Sequence, residues 1–358
     1  MYFNIFTTLD CNLNCRYCAD KSKKKSYPAL PTYSYATLKG FVEKDEDVVL
    51  TFYGGEPLLN LPLVKYVLEN IKAREFMLQT NGTLLHKLEK KELEKFSTIL
   101  LSIDGDEIMT DYYRGLGTYN KVINNAALVR NRGFNGELIA RMTVDEKTDI
   151  FQEVKHLMSL EYFDGFHWQL NMQFFEKGRW KDAEKWIREV YNPQINSLIE
   201  DWLQKMKHGK VIRIYPFVGV MHSMIHNTPS KLRCGAGWIF QNILTDGTIA
   251  PCTDMLELPE YLLGNIYNKS PKYLKDALCV GNPCPECKYY KWCGGRCLVA
   301  NLTKPWGEEG FNLVCETVKN MIDKLIEVKP EIERLIEKKT ISIDDFNYTK
   351  YNGCEIIP

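Results

Sequence analysis

Short apolar runs alternate with amphipathic stretches over the first 175 residues of the chain. The runs are rich in β-branched and aromatic residues and end at turn residues, which predicts six β-strands. These predicted strands are Phe3–Thr8, Val48–Tyr53, Glu75–Thr80, Thr98–Ile103, Leu138–Val144 and Phe166–Met172. The stretches Leu61–Ala73 and Tyr119–Arg132 between them repeat apolar residues at helical spacing. Strands alternating with helices predict an α/β fold with parallel strands, and six strands fit a partial (β/α)6 TIM-like barrel, since a complete barrel has eight.

The remaining chain predicts three further segments, so that the partial barrel covers 1–175. Residues 176–232 form a predicted helical bridge, residues 233–316 a small cysteine-rich domain held by metal, and residues 317–358 a C-terminal helix and tail. The bridge carries a stripe of apolar side chains at helical intervals that we expect to be core. Its members are Trp180, Trp186, Ile187, Ile195, Leu198 and Trp202.

Composition narrows the class of protein. Of 358 residues, 45% are apolar, and 46 basic residues balance 46 acidic ones, so no global field favours nucleic acid or an anionic membrane. No apolar run is long enough to span a bilayer, and the N-terminal segment has no signal-peptide pattern. We therefore predict a cytoplasmic protein, in which stable disulfides are uncommon. Its twelve cysteines are accordingly predicted to be mainly metal ligands.

Three of these cysteines stand close together directly after the first predicted strand. Cys11, Cys15 and Cys18 form a C-x3-C-x2-C pattern, and the next cysteine is Cys234. Three thiolates can hold three corners of a cubane iron–sulfur cluster and leave one iron open to a substrate or cofactor. The alternative is a structural zinc site, which normally has four protein ligands.

This triad, with Tyr17 before its last cysteine, resembles the signature of the radical S-adenosylmethionine (radical SAM) enzymes. In that family the open iron of a [4Fe–4S] cluster chelates SAM. The resemblance extends to Gly54-Gly55-Glu56, which is similar to the motif that receives the methionine amino group, and to Ser102 and Arg114, which are similar to SAM contacts. It also implies that Tyr17 lies beside the adenine and that Arg141 meets the SAM carboxylate. A structural ion pair is the alternative role for Arg141.

The C-terminal cysteines resemble the SPASM domain, which in this family carries two auxiliary clusters. The resemblance implies that Cys284, Cys287, Cys293 and Cys315 ligate one [4Fe–4S] cluster, giving three clusters in the chain. The ligands assigned to the other are Cys234, Cys252 and Cys297, and its fourth ligand is unassigned. Two cysteines are left over, Cys279 and Cys354, and each is either that fourth ligand or an ordinary thiol.

The resemblance implies an enzyme that cleaves SAM to a 5′-deoxyadenosyl radical, removes hydrogen from a peptide or protein residue and oxidises the product radical through the auxiliary clusters. A flavodoxin or ferredoxin is the expected electron donor. Sulfatase maturases are the alternative: their catalytic Asp directly follows the second auxiliary cysteine, whereas here Thr253 intervenes before Asp254, the candidate base. From other classes, the alternatives are a non-catalytic iron–sulfur electron carrier and a zinc-stabilised binding module.

Overall fold

The chain divides into two compact units in a computed structural model that describes residues 1–18, 26–171, 181–350, 353–355 and 357. Unit 1 consists of Met1–Ala140 and Gly235–Cys279, and unit 2 of Arg141–Cys234 and Val280–Pro358. The predicted segment boundaries at 175, 232 and 316 remain predictions. Met172 and Trp180, which entered the predicted elements, lie outside the described residues.

Ten strands are present in the described ranges. They are β1 (Tyr2–Thr8), β2 (Val49–Gly54), β3 (Glu75–Thr80), β4 (Phe96–Ser102), β5 (Glu137–Val144), β6 (Gly165–Leu170), β7 (Arg213–Ile214), β8 (Phe240–Ile243), β9 (Thr248–Ala250) and β10 (Gly264–Asn265). The first six match the predicted strands to within two residues at each end.

The α-helices of the described residues follow the expected alternation. They are α1 (Tyr35–Val42), α2 (Leu61–Asn70), α3 (Lys90–Leu93), α4 (Glu107–Arg114), α5 (Thr118–Asn131), α6 (Ile150–Ser159), α7 (Ala183–Trp186), α8 (Asn192–Lys207), α9 (Tyr215–Ile225), α10 (Tyr290–Cys293), α11 (Leu298–Thr303) and α12 (Gly307–Glu337). None of the helices in these ranges is both long and apolar enough to cross a membrane.

The sheet of unit 1 has β1 near its middle. Its strand order is β10-β9-β8-β1-β2-β3-β4. β1 pairs in parallel with β2 and β8, β2 with β3, and β3 with β4. β8 pairs antiparallel with β9, and β9 with β10. The predicted α/β class with parallel strands is confirmed.

The parallel strands of unit 1 are buried, which explains their near-continuous apolar sequences. Every residue of β1 is buried, and Phe3 contacts Phe41 of α1 edge to face with ring centroids 5.5 Å apart. Beyond the end of β1, a smaller apolar cluster joins Phe6 and Leu9 to Leu244 and Leu256. The loop that follows β1 therefore begins on a firmly packed base.

Unit 2 is mainly helical. Helices α8 and α12 pack along each other, and Asn196 and Asn320 exchange amide hydrogen bonds of 3.2 and 3.0 Å between them. The described members of the predicted apolar stripe are buried, among them Trp202, which packs between Phe217 and Phe346. Their expected role as core is confirmed.

Candidate active site

The cysteine loop follows β1 in unit 1, and its first thiol is held by two donors. The Sγ of Cys11 accepts hydrogen bonds from the Leu13 backbone N–H at 3.4 Å and from the Asn81 side-chain amide at 3.7 Å. Burial raises the pKa of Cys11 and raises that of Cys15 to about 11. Without a metal both side chains are therefore neutral thiols at pH 7, and binding iron requires each to lose its proton.

Gly54 and Gly55 let the loop after β2 pack directly on the loop that carries the cysteines. A Cβ added at Gly54 would lie 2.1 Å from the Thr8 carbonyl oxygen, and one at Gly55 would lie 2.2 Å from that of Asp10. The contact is closed by the Gly55 N–H, which donates to Thr8 O at 2.9 Å, and by the Glu56 N–H, which donates to Asp10 O at 2.8 Å. Only glycine fits at these two positions.

The carboxylate of Glu56 is fully buried and ties the loop after β2 to the loop after β3. It accepts hydrogen bonds from the Leu58 N–H at 3.1 Å, the Thr80 hydroxyl at 2.8 Å and the Asn81 N–H at 2.8 Å. Burial raises the pKa of Glu56 to about 7, against the opposing effect of these donors. Because Asn81 also donates to Cys11, Glu56 supports the cysteine loop indirectly.

Asp104 is a buried carboxylate that the sequence analysis did not single out. It accepts hydrogen bonds from Arg114 Nε at 2.7 Å and Nη2 at 3.0 Å, and from the Tyr17 hydroxyl at 2.8 Å. Burial alone would lower the pKa of Arg114. The negative charge of Asp104 opposes this effect and contributes to a pKa of Arg114 far above its usual range. Among the described residues, the hydrogen bonds of the Arg114 guanidinium to Asp104 use Nε and Nη2.

Helix α4 therefore fastens the cysteine loop at several points. The Arg16 N–H donates to Tyr113 O at 2.8 Å, the Arg16 Nε donates to Tyr112 O at 2.6 Å, and the Arg16 guanidinium lies 4.2 Å from the centre of the Tyr112 ring. A lone Asp at a strand end was the only sequence signal for Asp104, since its partners stand 87 and 10 residues away.

The other residues assigned to SAM or to catalysis have different surroundings. Ser102 ends β4 and is half-buried. Arg141 donates from Nη2 to the Gln169 side-chain oxygen at 2.8 Å, and its Nε is buried without an acceptor in the described residues. Asp254 is exposed in unit 1, and its N–H donates to the Sγ of Cys252 at 3.5 Å.

Unit 2 brings five cysteines together around one pocket. The pocket encloses about 490 Å³, including its mouth, and is lined by Cys284, Cys287, Cys293, Cys297 and Cys315 together with aromatic and aliphatic side chains. Burial raises the pKa of Cys293 to about 12 and also raises those of Cys284 and Cys315. No three His, Cys, Asp or Glu side chains in the described ranges lie close enough to enclose a single metal ion.

The remaining cysteines are distributed over both units. Cys234 is half-buried in unit 2, and Cys252 is half-buried in unit 1. The two unassigned cysteines differ, because Cys279 is exposed in unit 1 whereas Cys354 is fully buried in unit 2. The assignment of a fourth ligand remains a prediction.

Comparison with known proteins bears directly on the cysteine loop and the motifs around it. The sequence profile of the Radical SAM superfamily matches residues 5–158, which include the cysteine triad, Glu56, Asp104 and Arg114. The chain contains a radical SAM domain. Such a domain binds a [4Fe–4S] cluster and SAM.

The similarity to individual proteins extends beyond this radical SAM domain. The chain is 24% identical over 345 residues to the cysteine-type anaerobic sulfatase-maturating enzyme of Clostridium perfringens (strain 13 / Type A), covering 87% of this chain and 92% of that protein. The fold is similar to that of native anSMEcpe with bound AdoMet and Cp18Cys peptide, with a TM-score of 0.72, 21% identity and coverage of 94% and 99%. It is also similar to Streptococcus suis SuiB bound to precursor peptide SuiA, with a TM-score of 0.58, 16% identity and coverage of 83% and 71%. The chain is thus similar to sulfatase-maturating enzymes over most of its length, beyond the radical SAM domain itself.

The residues of the radical SAM domain fit a cluster and SAM. Three thiols on one loop supply the donor set for a cluster with one open iron. The two N–H donors at Cys11 favour the thiolate form of that cysteine. At Cys15, burial raises the pKa and the nearby Arg114 guanidinium lowers it, which favours the thiolate there.

Proposed function

We propose that this radical SAM enzyme modifies a peptide or protein, by removing a hydrogen atom from a substrate residue and passing the electron of the product radical to auxiliary iron–sulfur clusters. The observation that carries the proposal is the pocket of unit 2, because a radical SAM cluster needs only the three cysteines of the N-terminal loop. Five further cysteines around one pocket indicate additional iron–sulfur chemistry.

The spacing of these five thiols supports a cluster over a single ion. No compact tetrahedral set of metal-binding side chains is present in the described ranges. We infer that Cys284, Cys287, Cys293 and Cys315 hold one [4Fe–4S] cluster. We assign Cys297, with Cys234 and Cys252, to the third cluster of the chain.

At the SAM site each residue has a distinct proposed task. Cluster and SAM together supply a 5′-deoxyadenosyl radical when an electron is delivered. Arg114 offers its remaining Nη1 donor to SAM while Asp104 fixes the guanidinium plane. Tyr17, whose hydroxyl is held by Asp104, presents its ring toward the adenine, and Ser102 and Arg141 supply further polar contacts.

A second candidate function is sulfatase maturation, which is favoured by the match over 92% of the cysteine-type enzyme. Asp254 is then the proposed base, displaced by one residue from the position next to Cys252. Its exposure gives it access to a docked peptide. A peptide substrate is named in the structures of anSMEcpe and SuiB, and we extend that substrate class to this chain.

A non-catalytic electron carrier explains less of the structure. A carrier has no use for a loop built from Gly54, Gly55 and Glu56, or for an arginine held in place by a buried carboxylate. These features belong to a site that binds a small molecule beside the cysteine triad.

The test is anaerobic reconstitution of the full chain with iron and sulfide, followed by dithionite and SAM. We expect about twelve iron atoms per chain and formation of 5′-deoxyadenosine. The Cys15→Ala variant is expected to hold about eight iron atoms and to form no 5′-deoxyadenosine.

Substrate class is tested by adding Cys- and Ser-containing sulfatase-motif peptides and following their masses. A formyl group on either peptide establishes the maturase function. Turnover of a different peptide, with neither motif peptide modified, supports the leading proposal. Two zinc ions and no iron per chain, or iron without 5′-deoxyadenosine, would overturn both.

A further inference from the structure

Arg296 is a buried arginine whose charge has no partner in the described part of the chain. Its side chain lies within the pocket wall with 7% of the residue exposed, and its Nε is buried without an acceptor. No ion pair or hydrogen bond involves this guanidinium in those ranges. A buried unpaired charge is costly, so an anion is expected beside it.

The other two arginines that are deeply buried among the described residues are both paired. Arg114 is bonded twice to Asp104. Arg233 donates to Trp292 O at 2.8 Å and to the Ser223 hydroxyl at 2.7 Å, and its Nη1 lies 3.9 Å from Glu355. The chain thus satisfies buried guanidinium groups elsewhere with its own side chains, which makes the isolation of Arg296 informative.

The backbone fixes Arg296 in this place. Arg296 has a φ of 52°, in the left-handed region that side-chain-bearing residues rarely adopt, and it follows Gly294 and Gly295 with φ values of 68° and 95°. Tight contacts surround the two glycines, since an added Cβ would lie 2.0 Å from Lys231 O at Gly294 and 2.8 Å from a Val280 methyl carbon at Gly295. A strained conformation held by its surroundings is a common mark of a functional position.

The positive charge of Arg296 reaches the cysteines of the pocket. Arg296 lines the same pocket as Cys293 and Cys315. Four thiolates bound to iron would concentrate negative charge in the same pocket. The missing anion is therefore supplied by the cluster that we assign to Cys284, Cys287, Cys293 and Cys315.

We propose that Arg296 is the counter-charge of this auxiliary cluster and sets its reduction potential; this inference rests on the proposed function. Reduction adds one electron and no proton, so the reduced cluster is more negative by one charge. A buried cation stabilises the reduced form more than the oxidised form and raises the potential. Arg296 is thus a positioning and tuning residue that prepares the cluster to accept an electron.

The experiment isolates this cluster in the full-length chain. Substitution of Cys11, Cys15, Cys18, Cys234 and Cys252 by Ala leaves the four assigned ligands intact. In that background the potential is measured by anaerobic redox titration followed by electron paramagnetic resonance, together with the iron content. For Arg296→Gln we expect the ratio of reduced to oxidised cluster at a fixed potential to fall at least tenfold. For a one-electron couple, a tenfold fall corresponds to a reduction potential lower by about 59 mV.

Two further variants separate charge from shape. Arg296→Lys keeps the charge and is expected to keep the potential close to that of the parent. Lys319→Gln removes a half-buried cation from the same pocket and is expected to produce a smaller shift, because solvent screens it more.

The outcomes distinguish this inference from the function on which it rests. A parent without iron refutes the cluster assignment itself. If parent and Arg296→Gln hold equal iron and the ratio of reduced to oxidised cluster changes less than twofold, the role of Arg296 is refuted and the cluster assignment stands. If Arg296→Gln loses its iron, the iron contents of Arg296→Lys and Arg296→Met are compared. Iron kept by Arg296→Lys but lost from Arg296→Met supports the role of the charge, and iron lost from both variants overturns it.

Discussion

At the residue scale, the radical SAM site is organised around two buried carboxylates. Asp104 holds Tyr17 and Arg114, while Glu56 holds Thr80 and Asn81. Both act on the cysteine loop, one through helix α4 and the other through the loop after β3. The Gly54-Gly55-Glu56 motif, which resembles a SAM-binding motif, therefore also stabilises the conformation of the cysteine loop.

Replacing Asp104 is expected to damage this site severely. In Asp104→Asn the buried Arg114 loses its charge partner, which should lower the free energy of unfolding by about 3 to 5 kcal/mol and reduce iron retention at the triad. Chemical denaturation under anaerobic conditions measures the first effect and iron analysis the second. Asp106→Asn is the control, since Asp106 caps α4 by accepting from the Met109 N–H at 2.8 Å and Asn caps helices equally well. Equal stability of both variants would contradict this role for Asp104.

Glu56 should make stability depend on pH. Its pKa is raised from 4.5 to about 7 in the folded chain, so the folded state binds the proton more tightly than the unfolded state. The resulting stabilisation is complete below the unfolded pKa and is lost as pH rises through the folded pKa. We expect the free energy of unfolding of the wild type, relative to Glu56→Gln, to fall between about pH 5 and pH 7.5. Denaturation curves without SAM test this, and a rising difference would show that the bonded carboxylate is ionised throughout.

At the element scale, the loops after β1, β2 and β3 behave as one packed layer. The glycines at the end of β2 have no space for a side chain because backbone oxygens of the first loop occupy it. The glycines at the end of β2 therefore determine the course of the loop that follows β1.

A single methyl group is expected to disrupt this layer. In Gly55→Ala the new Cβ meets the Asp10 backbone, which cannot rotate away as a side chain can, so we expect a loss of at least about 2 kcal/mol of stability and loss of the triad cluster. Gly40→Ala is the matched control, since nothing lies within 4 Å of its added Cβ and Ala favours helix α1 by about 1 kcal/mol. Thermal unfolding and iron content distinguish the two. Intact iron binding in Gly55→Ala would show that the loops move independently.

The sequence predicted the elements whose apolar pattern is strong and missed those whose buried residues are polar. Strand β8 contains Gln241 and Asn242, both fully buried, which hide its strand character. The Gln241 side-chain NH2 donates to Leu274 O at 3.0 Å, and Asn242 accepts from the Asn4 side-chain amide at 2.8 Å and donates to Ala250 O at 3.2 Å. Asp104 escaped notice for the same reason, because long-range partners leave no local pattern.

At the scale of the whole molecule, the cysteine groups occupy separate structural settings. The triad lies in unit 1 and the five-cysteine pocket in unit 2. The spacing of the triad along the sequence indicated the first group, and the resemblance to the SPASM domain gave the ligands predicted for the second. The sequence carried no sign of Arg296 as an unpaired charge, because pairing is visible only in three dimensions.

Loss of one pocket ligand is expected to remove one cluster and leave SAM cleavage intact. We expect Cys315→Ala to retain about eight of twelve iron atoms and to form 5′-deoxyadenosine without modified peptide, because the electron of the product radical has no acceptor. Chromatography of both products tests this uncoupling. Normal peptide modification in this variant would remove the auxiliary cluster from the reaction.

The central place of β1 in its sheet has a consequence during biosynthesis. Its partner β2 begins at Val49, but its other partner, β8, begins only at Phe240. At a translation rate of about 5–20 residues per second, β8 follows β1 from the ribosome by roughly 12 to 50 seconds. Throughout that interval one edge of an apolar strand is uncovered, and such edges pair readily with other chains. We therefore expect the nascent chain to be prone to aggregation until residue 243 has been made.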